Sequence, residues 1–123
     1  MTTMDLRRAM PVVHTDDPAA SRAFYEGFLG FRVAMDQDGM FMFASPTVPT
    51  TQLIVAWPSP TASDPHVGQV DMSIEVDDVD TAYTEAQRAG LEIVRPLTDE
   101  PWGIRRFFVR EPGGRVVNVA MHL

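Results

Sequence analysis

Glu100-Pro101-Trp102-Gly103-Ile104-Arg105-Arg106-Phe107-Phe108-Val109-Arg110-Glu111-Pro112-Gly113-Gly114-Arg115-Val116-Val117-Asn118-Val119 is the stretch on which the fold turns. Two apolar runs, Phe107 to Val109 and Val116 to Val119, flank Glu111-Pro112-Gly113-Gly114. Proline presets φ and glycine admits positive φ, so the tetrad reads as a tight turn. Two β-rich runs joined by such a turn predict a hairpin. The structure expected just upstream is a helix and a strand. The fold therefore depends on whether helix plus hairpin is used once or twice.

Working outward, Asp77-Asp78 opens the upstream helix, with Val79, Ala82, Tyr83, Ala86 and Ala89 on its inner stripe and Gly90 as its stop. Leu91 to Leu97 follows as a strand. Before the helix, Gln69 to Val76 alternates, with Val70, Met72, Ile74 and Val76 on one face and Asp71, Ser73 and Glu75 on the other. The first half has the same order. Residues 6–15 read as a strand, with Pro11 marking an edge or a bulge. Asp16-Asp17-Pro18 then gives a cap followed by proline at the first helical position. That helix is expected over Pro18 to Leu29, with Ala20, Phe24 and Phe28 on one stripe, and Gly30 ends it. Phe31 to Met35, Met40 to Ala44 and Gln52 to Trp57 are strands, the first two joined by the Asp38-Gly39 turn signal. Residues 58–66 hold three prolines among small polar residues and read as a linker. The chain is thus an α+β fold of two tandem βαβββ modules in a single domain spanning 1–123. Module one covers about 6–57, the linker 58–66, and module two about 67–123.

The 123 residues suit one domain, and a hydrophobic fraction of 45% excludes a disordered chain. No apolar run reaches the roughly 20 residues that span a bilayer. The start, Met-Thr-Thr-Met-Asp-Leu-Arg-Arg, lacks the apolar core of a signal peptide, so a cytoplasmic location is expected. With no cysteine there is no disulfide, thiolate nucleophile or cysteine metal site. The net charge of −7 argues against nucleic acid as a partner, because that needs a basic stripe.

Ser21-Arg22-Ala23-Phe24-Tyr25-Glu26-Gly27-Phe28-Leu29-Gly30-Phe31 resembles the S-x-x-F-Y-x-x-x-L-G-F segment of the vicinal oxygen chelate superfamily. That group includes glyoxalase I, extradiol dioxygenases, and bleomycin-resistance and related antibiotic-binding proteins. Val76-Asp77-Asp78-Val79-Asp80 with Ala89-Gly90 resembles its second helix entry, and Trp102-Gly103 through Gly114 its closing hairpin. The resemblance runs from about Met10 to His122. It implies mixed sheets that curl around a central cavity, commonly completed by a homodimer. In metal-dependent members, ligands stand on the first and last strands of each module. The resemblance places Met10, Gln52, Asp71 and Asn118 there. A thioether, two neutral amides and one carboxylate are a poor donor set for Zn, Ni or Fe, which favour imidazole, carboxylate and thiolate. No cofactor is therefore expected, and the character is closest to the metal-free, bleomycin-resistance-like members. His14 and His122, with Asp71, are the other candidate ligands.

Without a metal, the lining of the cavity is what remains to do chemistry. Alternation puts Met10, Val12 and His14, then Gln52, Ile54 and Ala56, then Asp71, Ser73 and Glu75, then Asn118, Ala120 and His122 on inner faces. Trp57 and Trp102 stand at strand ends, where aromatic rings stack on planar ligands. Arg105 and Arg106 are adjacent on a strand and face opposite sides, so one meets the cavity while the other faces solvent. The ligand-binding set is Met10, His14, Gln52, Trp57, Asp71, Ser73, Glu75, Trp102, Arg106 and Asn118. Asp71, Glu75 and His14 are the candidates for a catalytic base. The expected function is metal-independent binding of a planar or cationic small molecule, including sequestration of an antibiotic. The alternative is a glyoxalase-like lyase, isomerase or dioxygenase that uses a cavity carboxylate or histidine, with or without a divalent metal.

Overall fold

The computed structural model describes residues 4–123; residues 1–3, part of the start read above for a leader, lie outside the described residues. The chain divides into two compact units, one of Met10–Gln69 and one of the residues up to Ala9 together with Val70–Leu123. Strand β1 (Leu6–His14) contributes to both units.

The first unit continues from β1 with α1 (Pro18–Arg22), a π-helical stretch (Ala23–Phe28), β2 (Arg32–Gln37), β3 (Met40–Ala44) and β4 (Gln52–Ala56). Its strands run in the order β2-β3-β4-β1. β1 pairs with β4 in parallel (Val12 beside Ile54, His14 beside Ala56), while β2-β3 and β3-β4 are antiparallel. Phe41, Phe43, Leu53 and Val55 form the buried core of one sheet face, covered by Tyr25, Phe31 and Trp57.

The helix differs from the expected Pro18–Leu29 cylinder. Asp17 caps it as its sequence requires, accepting the Ala20 amide at 3.1 Å. Beyond Arg22 the turn widens, and Leu29 N–H donates to the Phe24 carbonyl five residues back. This widening shifts the register. Tyr25 packs on Phe43 at 5.6 Å, whereas Phe24 and Phe28 are 49% and 75% exposed.

The second unit carries β5 (Met72–Val76), α2 (Val79–Arg88), β6 (Ile93–Glu100), β7 (Ile104–Arg110) and β8 (Val116–His122), in the strand order β5-β8-β7-β6. The Asp78 carboxylate caps α2, accepting from the Thr81 hydroxyl at 2.7 Å and the Thr81 amide at 3.1 Å. These bonds favour the ionised form and hold Asp78 below the usual carboxylate range. Val79, Ala82 and Ala86 bury the helix stripe against Val76, Phe107 and Val109. The Glu111–Gly114 turn forms as expected, but the glutamate also takes part. Its carboxylate accepts the amides of Gly113 (2.8 Å) and Arg115 (2.9 Å) and is held below its usual range by them.

Candidate functional site

In the second unit, β7 is buried on both faces, and alternation assigns each side chain. Phe107 and Val109 go to α2. Arg106 and Phe108 face the other side with their neighbours on β8, Ala120 and Asn118. This separates the two arginines. Arg105 is engaged by Asp99 (2.6 Å) and Asp80 (3.1 Å); Asp99 is held low by that hydrogen bond, and Arg105 is pushed up in turn. Arg106 is 4% exposed and sits on the polar face. Its guanidinium lies 5.1 Å from the Trp102 ring and 4.9 Å from the Phe108 ring, and bonds Glu100 at 2.8 Å. Glu100 also accepts from Arg95 at 2.7 Å. The position is fixed by charge, hydrogen bond and ring stacking together.

Next to this stack, β5 and β8 run in parallel with Ser73 beside Asn118 and Glu75 beside Ala120. Asn118 is 9% exposed; its Nδ2 donates to Ser73 Oγ at 3.2 Å, and its Oδ1 is buried with no hydrogen-bond partner among the described residues. Glu75 lies 3.1 Å from His122 Nε2 and 3.7 Å from Arg8. Asp71 accepts the Val116 amide at 2.9 Å, while its own amide donates to the Val116 carbonyl. It clips the start of β8 to the start of β5. The alternation of the sequence places Ser73, Glu75 and Asn118 on one face, and the β7-β8 register adds Arg106 to it. Alternation does not point to Glu100, Arg95 and Arg8, because ion-pair partners on neighbouring strands depend on a register that no local pattern reveals.

In the first unit, Met10 is 6% exposed, and Gln52 donates its Nε2 to the Pro49 carbonyl at 2.7 Å. His14 and Trp57 help line a cleft of about 990 Å³ at the ends of β1 and β4. The opposite wall is the proline-rich segment expected as a linker, and it is held in place. The Asp38 carboxylate accepts the hydroxyls of Ser59, at 2.7 Å, and of Thr61. These bonds keep its carboxyl below the usual range. Ser63 donates to Gln37 at 3.1 Å, and the Trp57 amide to the Gly39 carbonyl at 3.0 Å. At Gly39, φ is +91°, and an added Cβ would stand 2.7 Å from the Ala62 Cβ. Only glycine lets the turn approach the segment so closely.

The four positions that the resemblance assigns to metal ligands do not suit one. Met10 offers a buried thioether, Gln52 and Asp71 already make hydrogen bonds that fix backbone, and Asn118 offers one neutral carbonyl oxygen. Among the described residues no three histidine, aspartate or glutamate side chains gather in a metal-binding group. Transition-metal sites need imidazole or anionic donors, so the residues present do not fit such a site.

The profile of the Glyoxalase/Bleomycin resistance protein/Dioxygenase superfamily matches residues 8–119, nearly the whole chain. The chain belongs to that superfamily. No curated protein matches it. Among solved structures, a superfamily member from Vibrio splendidus 12B01 is 19% identical, with a TM-score of 0.70 over 95% of this chain and 99% of that one. Methylmalonyl-CoA epimerase from Mycobacterium tuberculosis is 15% identical, with a TM-score of 0.67 over 96% of this chain and 87% of that one. An extradiol ring-cleaving dioxygenase from B. fuscum is 22% identical, with a TM-score of 0.68 over 97% of this chain and 33% of that one. At such identities these likenesses establish the fold, which is the α+β arrangement of βαβββ modules expected of the superfamily. The same fold carries an epimerase and a dioxygenase, so function must be argued from the site. Among the described residues no helix is long and apolar enough to cross a membrane.

Proposed function

We propose that this superfamily member binds a planar organic molecule without a metal, on the sheet face that carries Ser73, Arg106 and Asn118. One observation carries the reading. Arg106 is locked beneath Trp102 by Glu100, while Trp102 keeps 44% of its surface exposed. A flat guest laid on that indole extends a stack already in place, so little ordering is required on binding. The buried Asn118 Oδ1 adds an acceptor that calls for a donor, and a group on the guest or a water would satisfy it. Metal independence is supported by the hydrogen bonds that occupy Gln52 and Asp71. Binding without chemistry makes sequestration, as of an antibiotic, the role that follows.

A second reading rests on the 3.1 Å contact between Glu75 and His122. A carboxylate that orients an imidazole is an arrangement used for general base catalysis. It would make the protein a lyase or isomerase, and turnover abolished by His122→Ala would identify it.

The binding reading is tested with a Trp57→Phe variant, in which Trp102 is the sole tryptophan. A panel of planar compounds is titrated before and after chelator treatment. The expected result is quenching of Trp102 by at least one compound, unchanged by chelator and weakened by Asn118→Ala. A silent Trp102 across the panel, or binding that returns only with added Zn²⁺, Ni²⁺ or Fe²⁺, defeats the proposal.

A further inference from the structure

We infer that the cleft walled by the proline-rich segment of the first unit is a binding site for a planar organic cation, built from residues other than those around Trp102. Its volume of about 990 Å³ accommodates a drug-sized molecule. Trp57, Pro60 and Val67 supply apolar wall, His14, Asp16 and Asp64 supply the ionisable groups, and among the described residues no arginine lines it. The surrounding charge has the same sign. The first unit holds six carboxylates against two arginines, and one of those, Arg22, is engaged by Glu26 and Asp36.

These features select one kind of guest. An anion would be repelled by Asp16 and Asp64. A neutral ring would gain apolar contact alone. A flat cation gains that contact and the attraction of the carboxylates, and it meets in Trp57 the side chain whose ring face attracts cations best. The wall is also prepared in advance. Asp38 holds Ser59 and Thr61, Gln37 holds Ser63, and Gly39 lies against Ala62. A segment whose composition suggests a loose linker is thus ordered before any ligand arrives, which lowers the cost of binding.

The test uses a Trp102→Phe variant, in which Trp57 is the sole tryptophan, read by its emission and by calorimetry. The probes are N-methylquinolinium, neutral quinoline and a quinoline carboxylate. The cation should bind at least about ten-fold more tightly than quinoline, and the carboxylate should not compete. Added salt should narrow that margin. Asp16→Asn, at an exposed side chain, should weaken the cation by about three-fold or more and leave quinoline unchanged. Equal affinity for cation and neutral ring, or a cation indifferent to Asp16→Asn, overturns the charge assignment. No heat and no Trp57 response to any probe overturns the site. The planar-ligand proposal is read from Trp102, so the two stand or fall on different tryptophans.

Discussion

Glu100 and Arg106 face each other at 2.8 Å with side chains only 4% and 5% exposed, and Arg95, 22% exposed, reaches the same carboxylate. Two guanidinium groups share one anion in a largely desolvated place. The attraction there is strong, but so is the cost of leaving either charge alone. Removing the anion should therefore be the most damaging single change on this face. Glu100→Ala should lose about 3–5 kcal/mol of stability, measured by urea unfolding. Arg95→Ala, which removes a half-buried partner, should lose much less. Joint replacement of Glu100 and Arg106 by leucine and methionine should recover most of the deficit, because it removes both charges together. A Glu100→Ala protein as stable as the parent would mean that the pair is solvated after all.

The clamp on the proline-rich segment should open in acid. Asp38 is held below its usual value chiefly by the Thr61 hydroxyl and then by that of Ser59. A carboxylate whose pKa falls on folding contributes stability above its unfolded value of about 3.9, and loses it as pH falls through the folded value. The melting temperature of Asp38→Ala should therefore lie below that of the parent at neutral pH, with the gap closing as the pH drops below about 4. Asp78, Asp99 and Glu111 are lowered as well, so the difference between the two proteins is the informative quantity. A gap that stays constant from neutral to acid pH would remove Asp38 from the clamp.

Two glycines should respond differently to the same change. Gly39→Ala adds a Cβ at φ +91° and 2.7 Å from Ala62, with both strain and clash, and should cost about 1–3 kcal/mol. Gly27 lies in the π-helical stretch with nothing within 4 Å of an added Cβ. Gly27→Ala should be neutral or gain up to about 1 kcal/mol, because alanine loses less backbone freedom on folding. Thermal unfolding of both variants checks the pair, and similar effects would contradict the packing described.

Much of the fold was legible because the signals were local. Asp17-Pro18 and Asp78 start helices, Asp38-Gly39 and Glu111–Gly114 make turns, and the alternation in β5 separates Ile74 and Val76 from Ser73 and Glu75. The order of these signals is enough to reveal the repeat. What could not be read is what distant segments do to one another. Residues 58–66 look like a linker by composition, yet Asp38 and Gln37, some twenty residues upstream, turn them into a wall. Asp71 looks like a donor for a ligand, yet the Val116 amide, 45 residues away, takes its carboxylate. Adjacency on a strand parts Arg105 from Arg106, but only the strand register assigns Arg106 to the face of Asn118.

The π-helical turn gives the clearest contrast between pattern and packing. A regular helix would carry Ala20, Phe24 and Phe28 along one stripe, and a reader would place that stripe inward. The hydrogen bond from Leu29 to Phe24 adds a residue to the turn and brings Tyr25 to the core, where its ring meets Phe43 at 5.6 Å and Phe31 at 6.3 Å. Phe28, 75% exposed, keeps a tilted ring contact with Phe24 at 5.5 Å. Tyr25→Ala should therefore cost about 2–4 kcal/mol, the range for truncating an aromatic side chain in a core, reduced somewhat for its partial exposure. Phe28→Ala should fall within about 0.5 kcal/mol of the parent, as exposed substitutions do. Chemical denaturation of the two variants decides between the arrangements. If Phe28→Ala proved the more damaging, the regular helix would be restored, and Tyr25 would leave the core.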